Sequence, residues 1–153
     1  MEYHQGKNCL DQGKLEQARD LFEKGYQAGD VRCAYGLLAV DAMAGKPRQA
    51  ALQVLETVLP QLIAAAETGD GDALFILGRC VETGSVLNQD IGKAIGYYQK
   101  ASAAGNTDAM YNLGCIYMQT GQPGEGIARD WYELAAKNGH DMAKMALQHW
   151  KQL

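Results

Sequence analysis

Apolar residues recur along most of the chain at intervals of three and four positions, which places them on one face of an α-helix. Ala109, Leu113 and Tyr117 form one such series, and every apolar period in the chain is near 3.6 residues. The pattern predicts a chain that is well over half helical and has no sheet. The predicted helices are 2–12, 14–28, 31–44, 48–68, 71–83, 91–104, 107–120, 126–138 and 141–152.

Parts of this pattern repeat. The segment that starts at Asp108, DAMYNLGCIY, is similar to DALFILGRCV, which starts at Asp72, and weaker copies start at Cys33 and Met142. The copies are anchored by alanines that are 39, 36 and 34 residues apart, at Ala34, Ala73, Ala109 and Ala143. Periods of this length are typical of repeats built from helical hairpins.

A second pattern lies between these copies and ends in glycine. ARDWYELAAKNG ends at Gly139, AIGYYQKASAAG ends at Gly105, and ARDLFEKGYQAG ends at Gly29. Each unit is therefore predicted to contain a helix A, a turn and a helix B. The expected architecture is an all-α solenoid of about four antiparallel helix pairs with a C-terminal capping helix. It forms a single domain with units at about 1–29, 30–69, 70–105 and 106–139 and a cap at 140–153.

Glycine, acidic residues and proline mark points within and between the units. Because glycine is unfavourable inside a helix, its recurrence in helix A predicts a close approach by helix B, at Gly6, Gly78 and Gly114. The glycines that close helix B fit a left-handed position after the helix, at Gly29, Gly69, Gly105 and Gly139. The acids that follow fit an N-cap or a first helical turn, at Asp30, Asp72, Asp108 and Asp141. Pro60 should kink or split helix 48–68 near Leu59.

The two best copies resemble the Sel1-like repeat, a relative of the tetratricopeptide repeat. The resemblance is carried by AMYNLGCIY from Ala109, then Gly121, then IARDWYELAAKNG up to Gly139, and by the matching positions of the unit before it. It is strong from about residue 70 to 153 and looser in the first two units. The resemblance implies an adaptor or scaffold that binds another protein, and in bacteria some similar proteins resemble immunity proteins or regulators of secretion and stress pathways.

Composition and charge exclude several classes of function. The formal net charge is −4 and no run of Lys or Arg occurs, so a nucleic-acid partner is not expected. No run of 18 apolar residues occurs and the N-terminus lacks an apolar signal-peptide core, so we expect a cytoplasmic protein without a membrane partner. The four cysteines form no CxxC pair and are expected to be free thiols. No motif for a metal, a cofactor or catalysis is present, so no cofactor is expected and the protein should not be an enzyme.

Candidate partner-binding residues come from positions that the repeat core does not need. The aromatic pairs of helix B, Tyr97–Tyr98 and Trp131–Tyr132, are interpreted as core rather than as a ligand site. The concave wall of such a solenoid is formed mainly by helix A, at positions two and five residues from the core leucine. There the sequence places aromatic, Met and Arg side chains, which are enriched at protein interfaces. The predicted partner-binding residues are Met43, Phe75, Arg79, Glu82, Tyr111, Cys115, Met118 and His149, and the same wall includes Lys7, Leu10, Val40 and Met145.

Two function classes remain at this point. The first is a non-enzymatic module that binds a protein or peptide through the concave helix-A surface, which includes an immunity or regulatory protein that clamps one toxin or enzyme. The second, less favoured, is a hydrolase or a thiol enzyme built on a helical repeat, and the sequence contains no motif that supports it. Self-association through the unit that contains Pro60 is a further alternative.

Overall fold

The computed structural model describes residues 1–121 and 124–150. Within these residues the chain forms nine α-helices and no strand, as the apolar pattern predicted. Their bounds are α1 Glu2–Asp11, α2 Leu15–Gln27, α3 Arg32–Met43, α4 Gln49–Glu67, α5 Gly71–Thr83, α6 Ile91–Ala103, α7 Thr107–Met118, α8 Gly124–Lys137 and α9 Asp141–Trp150.

The helices pack as successive neighbours along the chain, which confirms the predicted solenoid of helix pairs. Helix A and helix B of the units are α1 and α2, α3 and α4, α5 and α6, and α7 and α8, and α9 packs on α8 as a final helix. The helix-A elements also contact one another, α1 with α3 and α3 with α5. The closing glycines have positive φ, from 88° at Gly105 to 94° at Gly139. This is the left-handed conformation that the sequence predicted for them.

Glycines in helix A allow an aromatic ring of helix B to lie against the helix-A backbone. A Cβ on Gly78 would lie 2.6 Å from the Tyr98 ring, and one on Gly6 would lie 2.5 Å from the Phe22 ring. Phe22 and Tyr98 are fully buried, which confirms that this aromatic position belongs to the core. A Cβ on Gly36 of α3, whose role was not predicted, would lie 2.4 Å from the same Phe22 ring. Phe22 is thus enclosed between α1 and α3.

The unit that contains α4 is the irregular one, but its long helix is not split. α4 runs without interruption through Pro60, so of the two predicted outcomes, a kink or a split near Leu59, the split was wrong. Pro60 is exposed to solvent, where water can bind the Glu56 carbonyl that lacks a helical donor. The buried side of α4 carries the aliphatic residues Leu55, Val58 and Leu62 instead of an aromatic pair. Aliphatic packing on this side holds the helix on α3 and α5.

A ladder of polar contacts joins the N-terminal ends of successive helix-A elements. Asn106 caps α7 by accepting from the Ala109 N–H at 2.9 Å, and its Nδ2 donates to Asp72 in the first turn of α5 at 2.9 Å. His140 repeats this arrangement one unit later. Its Nδ1 accepts from the Ala143 N–H at 3.2 Å, and its Nε2 lies 3.2 Å from Asp108 Oδ1. Of the predicted acids, Asp72, Asp108 and Asp141 therefore lie in first turns, as the sequence allowed. Asp30 lies two residues before α3 and accepts from the Arg32 N–H at 3.2 Å.

The row of helix-A elements is strongly curved. Lys7 on α1 forms an ion pair with Asp108 on α7, and His4 on α1 lies 3.2 Å from Asp72 on α5. In a flat row, α1 and α7 would be roughly 30 Å apart, because packed helices lie about 8–10 Å from each other. No lysine side chain spans that distance, so the row bends until its first and fourth helices approach. The helix-A side is the concave side.

Candidate protein-binding groove

The concave side carries a groove made of two adjoining pockets. The outer pocket, of about 240 Å³, lies between the C-terminal halves of α3 and α5. The inner pocket, of about 190 Å³, lies between α1, α3 and α5. Tyr35 and Ala39 line both pockets, so the two form one continuous surface, which we call the helix-A groove. Its other lining residues in the outer pocket are Leu38, Ala42, Met43, Arg48, Arg79, Cys80, Thr83 and Ser85.

Arg79 is held in the groove by a polar network. Its Nε donates to the Tyr35 hydroxyl at 3.2 Å and its Nη1 donates to Glu82 Oε2 at 2.9 Å. The same Glu82 oxygen accepts from the Tyr98 hydroxyl, and Asn112 Nδ2 donates to that hydroxyl at 3.3 Å. Burial raises the pKa of both tyrosines, so their hydroxyls stay protonated at neutral pH. The network therefore fixes the guanidinium of Arg79 in one position.

The inner pocket has an aromatic floor under a lysine. Phe75 presents 7% of its surface and packs against Tyr35 and Tyr98, with ring centroids 6.2 and 6.0 Å away. The Lys7 Nζ lies 6.0 Å from the centre of the Phe75 ring and also forms an ion pair with Asp108 on α7. Phe75 thus lines the groove as part of the core, because α1 covers it. It does not project as an anchor.

The predicted binding residues divide into three sets. The structure brings Met43, Phe75, Arg79 and Glu82 together at the groove, and Met43 is the most exposed of them at 58%. Tyr111 and Cys115 are half-buried in a second cluster, where Tyr111 stacks on His140 at 4.7 Å. Met118 and His149 are exposed at the ends of α7 and α9. Val40, placed on the wall by the same spacing rule, is buried in the core.

Two groove residues were not singled out from the sequence. Tyr35 follows the anchoring Ala34, at the position that buried Leu74 and Met110 occupy in the next two units. The Tyr35 hydroxyl could have marked this position as part of a site, because a polar atom at a position that is buried in the next two units needs a hydrogen-bond partner. Arg48 precedes α4 in the unit that departs from the repeat, so no repeat position marked it.

The described residues include His, Cys, Asp and Glu side chains, the kinds that hold metal ions, and their thiols differ in burial. No group of three or more His, Cys, Asp or Glu side chains is placed to hold a metal ion among residues 1–121 and 124–150. All four cysteines are free thiols, as predicted. Cys80, at the groove, is buried, and this burial raises its pKa to about 11. Such a thiol is protonated at neutral pH and is a weak nucleophile. Across the same described ranges, no helix is long and apolar enough to cross a membrane.

A family model described as the Sel1 repeat matches three segments of the chain, residues 1–30, 71–106 and 107–140. Together these segments cover well over half of the sequence. The unmatched part between residues 31 and 70 contains α3 and the irregular helix α4.

Two solved structures share the fold. A Sel1 repeat protein from Oxalobacter formigenes is 21% identical with a TM-score of 0.57, and the match covers 93% of this chain and 59% of that one. A protective antigen from uropathogenic Escherichia coli strains, described as displaying an SLR fold, is 22% identical with a TM-score of 0.52. That match covers 86% of this chain and 36% of the antigen. The chain thus spans less than two thirds of either similar protein.

Proposed function

Because the chain belongs to the Sel1 repeat family, whose members typically mediate protein–protein interactions, we propose that it is a non-enzymatic module that holds a partner protein in the helix-A groove. The observation that carries this proposal is the groove itself. It is a continuous surface that combines exposed apolar side chains with a fixed arginine.

The distribution of aromatic side chains supports the concave side over the convex side. Phe22, Tyr98 and Tyr132 on the helix-B elements are buried against helix-A backbones and are not available to a partner. The groove keeps Met43 in solvent and a guanidinium with free donors. Arginine and flexible apolar side chains are common at the centres of protein interfaces.

The chemistry at the groove favours binding over catalysis. The nearest thiol, Cys80, is protonated at neutral pH, and the nearest carboxylate, Glu82, is bound by Arg79 and Tyr98. Neither group can act as a free nucleophile or base while these contacts persist.

A partner can be identified by affinity capture with the intact chain as bait, followed by mass spectrometry. Titration calorimetry with the purified partner then compares Met43→Ala and Arg79→Ala with Glu133→Ala on the outer face of α8. We expect each groove variant to weaken binding by roughly thirtyfold, since interface anchors commonly contribute about 2 kcal/mol. Glu133→Ala should bind like the unmodified chain. Loss of binding in Glu133→Ala alone would place the partner on the convex side.

A further inference from the structure

The outer pocket differs from the inner pocket in its charge. Arg48 and Arg79 both line the outer pocket, and none of its lining residues is acidic. The inner pocket is lined by one cation, Lys7, and by the carboxylates of Asp11 and Asp108, of which Asp108 pairs with Lys7. Glu82 pairs with Arg79 at 2.9 Å, whereas no described carboxylate pairs with Arg48, so the outer pocket keeps the positive charge of Arg48 on a chain whose net charge is −4.

Both guanidinium groups keep hydrogen-bond donors that the described residues do not use. Arg79 uses Nε and Nη1 within the protein, and its Nη2 has no partner among residues 1–121 and 124–150. Arg48 forms no ion pair with any side chain in those ranges. The Tyr35 hydroxyl accepts from Arg79, so its own proton remains available to an acceptor. The outer pocket thus offers donors from three side chains, and the one carboxylate in contact with them, Glu82, binds Nη1 of Arg79 only.

The remaining polar groups of the pocket are already occupied. Thr83 Oγ1 donates to the Arg79 carbonyl at 2.8 Å, and Ser85 Oγ lies 2.6 Å from Thr83 Oγ1. The helix α4 begins directly after Arg48, with no acidic residue in its first turn and no side-chain cap. Its N-terminal end adds positive potential beside Arg48, which reinforces the two arginines.

We propose that the outer pocket receives the carboxylate of an Asp or Glu side chain from an extended segment of the partner protein. The carboxylate lies between Arg48 and Arg79 and accepts from the Tyr35 hydroxyl. A neighbouring apolar side chain of the same segment packs on Leu38, Ala42 and Met43, which form the apolar part of the pocket. Planar guanidinium groups suit a carboxylate because two N–H donors can point at its two oxygens. This inference rests on the proposed function and adds the chemistry that the partner must carry.

A library of linear peptides displayed on phage tests the inference with the intact chain as bait. We expect the enriched peptides to share an acidic residue next to an apolar one. A fluorescein-labelled peptide from this set is then synthesised with the acid and with its amide, and both are titrated by anisotropy. The amide peptide should bind about tenfold more weakly or worse, as should the acidic peptide with Arg48→Gln, because a charged hydrogen bond is lost.

Matched variants separate the pocket from general electrostatics. Arg129→Gln removes the same charge from the exposed face of α8, where Arg129 pairs with Glu133 at 2.9 Å, and should leave peptide binding unchanged. With Arg48→Gln, the acidic peptide should lose much of its advantage in affinity over the amide peptide, and the rest should remain because Arg79 and Tyr35 are unchanged. Arg79→Lys, which keeps the charge and changes the donor geometry, is a second pocket variant and should also bind the acidic peptide more weakly than the unmodified chain does.

The outcomes distinguish this inference from the proposed function. Enriched peptides that carry no acid but lose affinity for the Met43→Ala variant would overturn the proposed carboxylate site and leave the groove as a binding site. Acidic peptides that bind to Arg48→Gln and to Arg79→Lys as tightly as to the unmodified chain would overturn the proposed carboxylate site as well. Failure to enrich any peptide would also contradict the proposed carboxylate site. Titration calorimetry with the natural partner tests the groove as a binding site independently of the peptides.

Discussion

Gly114 of α7 and Tyr132 of α8 are in contact at a distance that no other residue at position 114 permits without movement. A Cβ on Gly114 would lie 2.5 Å from Cε1 and 2.6 Å from Cδ1 of the tyrosine ring. The ring has little room to retreat, because it packs against Tyr111 and Trp150 with centroids 5.5 and 6.2 Å away. The glycine therefore sets the spacing of this helix pair, as Gly78 does in the pair before it.

Substitution of Gly114 should destabilise the protein even though alanine favours helices. Gly114→Ala should lower the free energy of unfolding by about 1–3 kcal/mol, because the overpacking exceeds the gain of about 1 kcal/mol in helix propensity. Gly96→Ala is the matched control, since Gly96 lies within α6 with nothing within 4 Å of its Cβ position. It should be neutral or stabilising by up to about 1 kcal/mol. Urea unfolding followed by circular dichroism measures both, and equal stability of the two variants would refute the account of Gly114.

The link between Asn106 and Asp72 predicts an energetic coupling between neighbouring units. Asn106→Ser keeps an N-cap side chain for α7 but is too short to reach Asp72, so the cross-unit hydrogen bond is lost. A double-mutant cycle with Asp72→Ala should give a coupling of about 0.5–1.5 kcal/mol in the free energy of unfolding. Asp90, which caps α6, is the control partner. A cycle that pairs Asp90→Ala with Asp72→Ala should be additive, and coupling of the same size there would show that the effect is not specific to the ladder.

Asp108 should make stability depend on acid pH. Its burial acts to raise its pKa, but the hydrogen bond from His140 and the charge of Lys7 hold the pKa at about 2, below the ordinary 3.8. The Asp108 carboxyl is then more acidic in the folded chain than in the unfolded chain, so its contribution to the free energy of unfolding is fully present above about pH 4. That contribution is lost as the pH falls towards 2.

The variant Asp108→Asn isolates this contribution. It should be less stable by about 1–2 kcal/mol at pH 7, and the difference should shrink steadily as the pH falls from about 4 to about 2. Urea titrations of both chains across this range provide the measurement. A difference that stays constant down to pH 2 would mean that Asp108 has no depressed pKa in the folded protein.

The repeat explains how much of this fold the sequence could predict. Ala109, Leu113 and Gly114 recur at fixed spacing in α5, so the helix pairs and the close approach of helix B at the glycine followed from pattern alone, while the contacting residue, Tyr132, came from the structure. The contact between Lys7 and Asp108 did not, because it depends on small rotations that accumulate over three helix steps. That curvature is also why Phe75, predicted as an exposed anchor, is covered by α1.

The groove was predicted less completely than the fold, because it centres on the one unit that breaks the repeat. In α3, Tyr35 and Ala39 face the groove while Val40 is buried, so the spacing rule that selects Arg79 in α5 fails one unit earlier. The ladder had a visible signal: a cap residue two positions before an acid, at Asp70 and Asp72 and again at Asn106 and Asp108. The sequence shows this repetition but not which unit each side chain reaches.

The cysteines should react in two classes. Cys33 and Cys80 are buried, and burial raises their pKa to about 12 and about 11, whereas Cys9 and Cys115 are half-buried. Iodoacetamide at neutral pH should therefore modify Cys9 and Cys115 first in the native chain, because the thiolate is the reactive form. Without a reductant, mass spectrometry should find four added groups after denaturation. Fewer than four would reveal a disulfide, and modification of native Cys80 as fast as Cys9 would contradict its burial.

The most direct test of the central claim is the position of the partner on the folded chain. A photo-crosslinking benzoylphenylalanine replaces Met43, which is 58% exposed in the groove, or Leu134, which is 39% exposed on α8, and each variant is irradiated with the captured partner. Circular dichroism and melting temperature confirm that both variants fold. The helix-A groove predicts a crosslinked complex from position 43 and none from position 134. A complex from position 134 with none from position 43 would contradict the account and place the partner on the helix-B side.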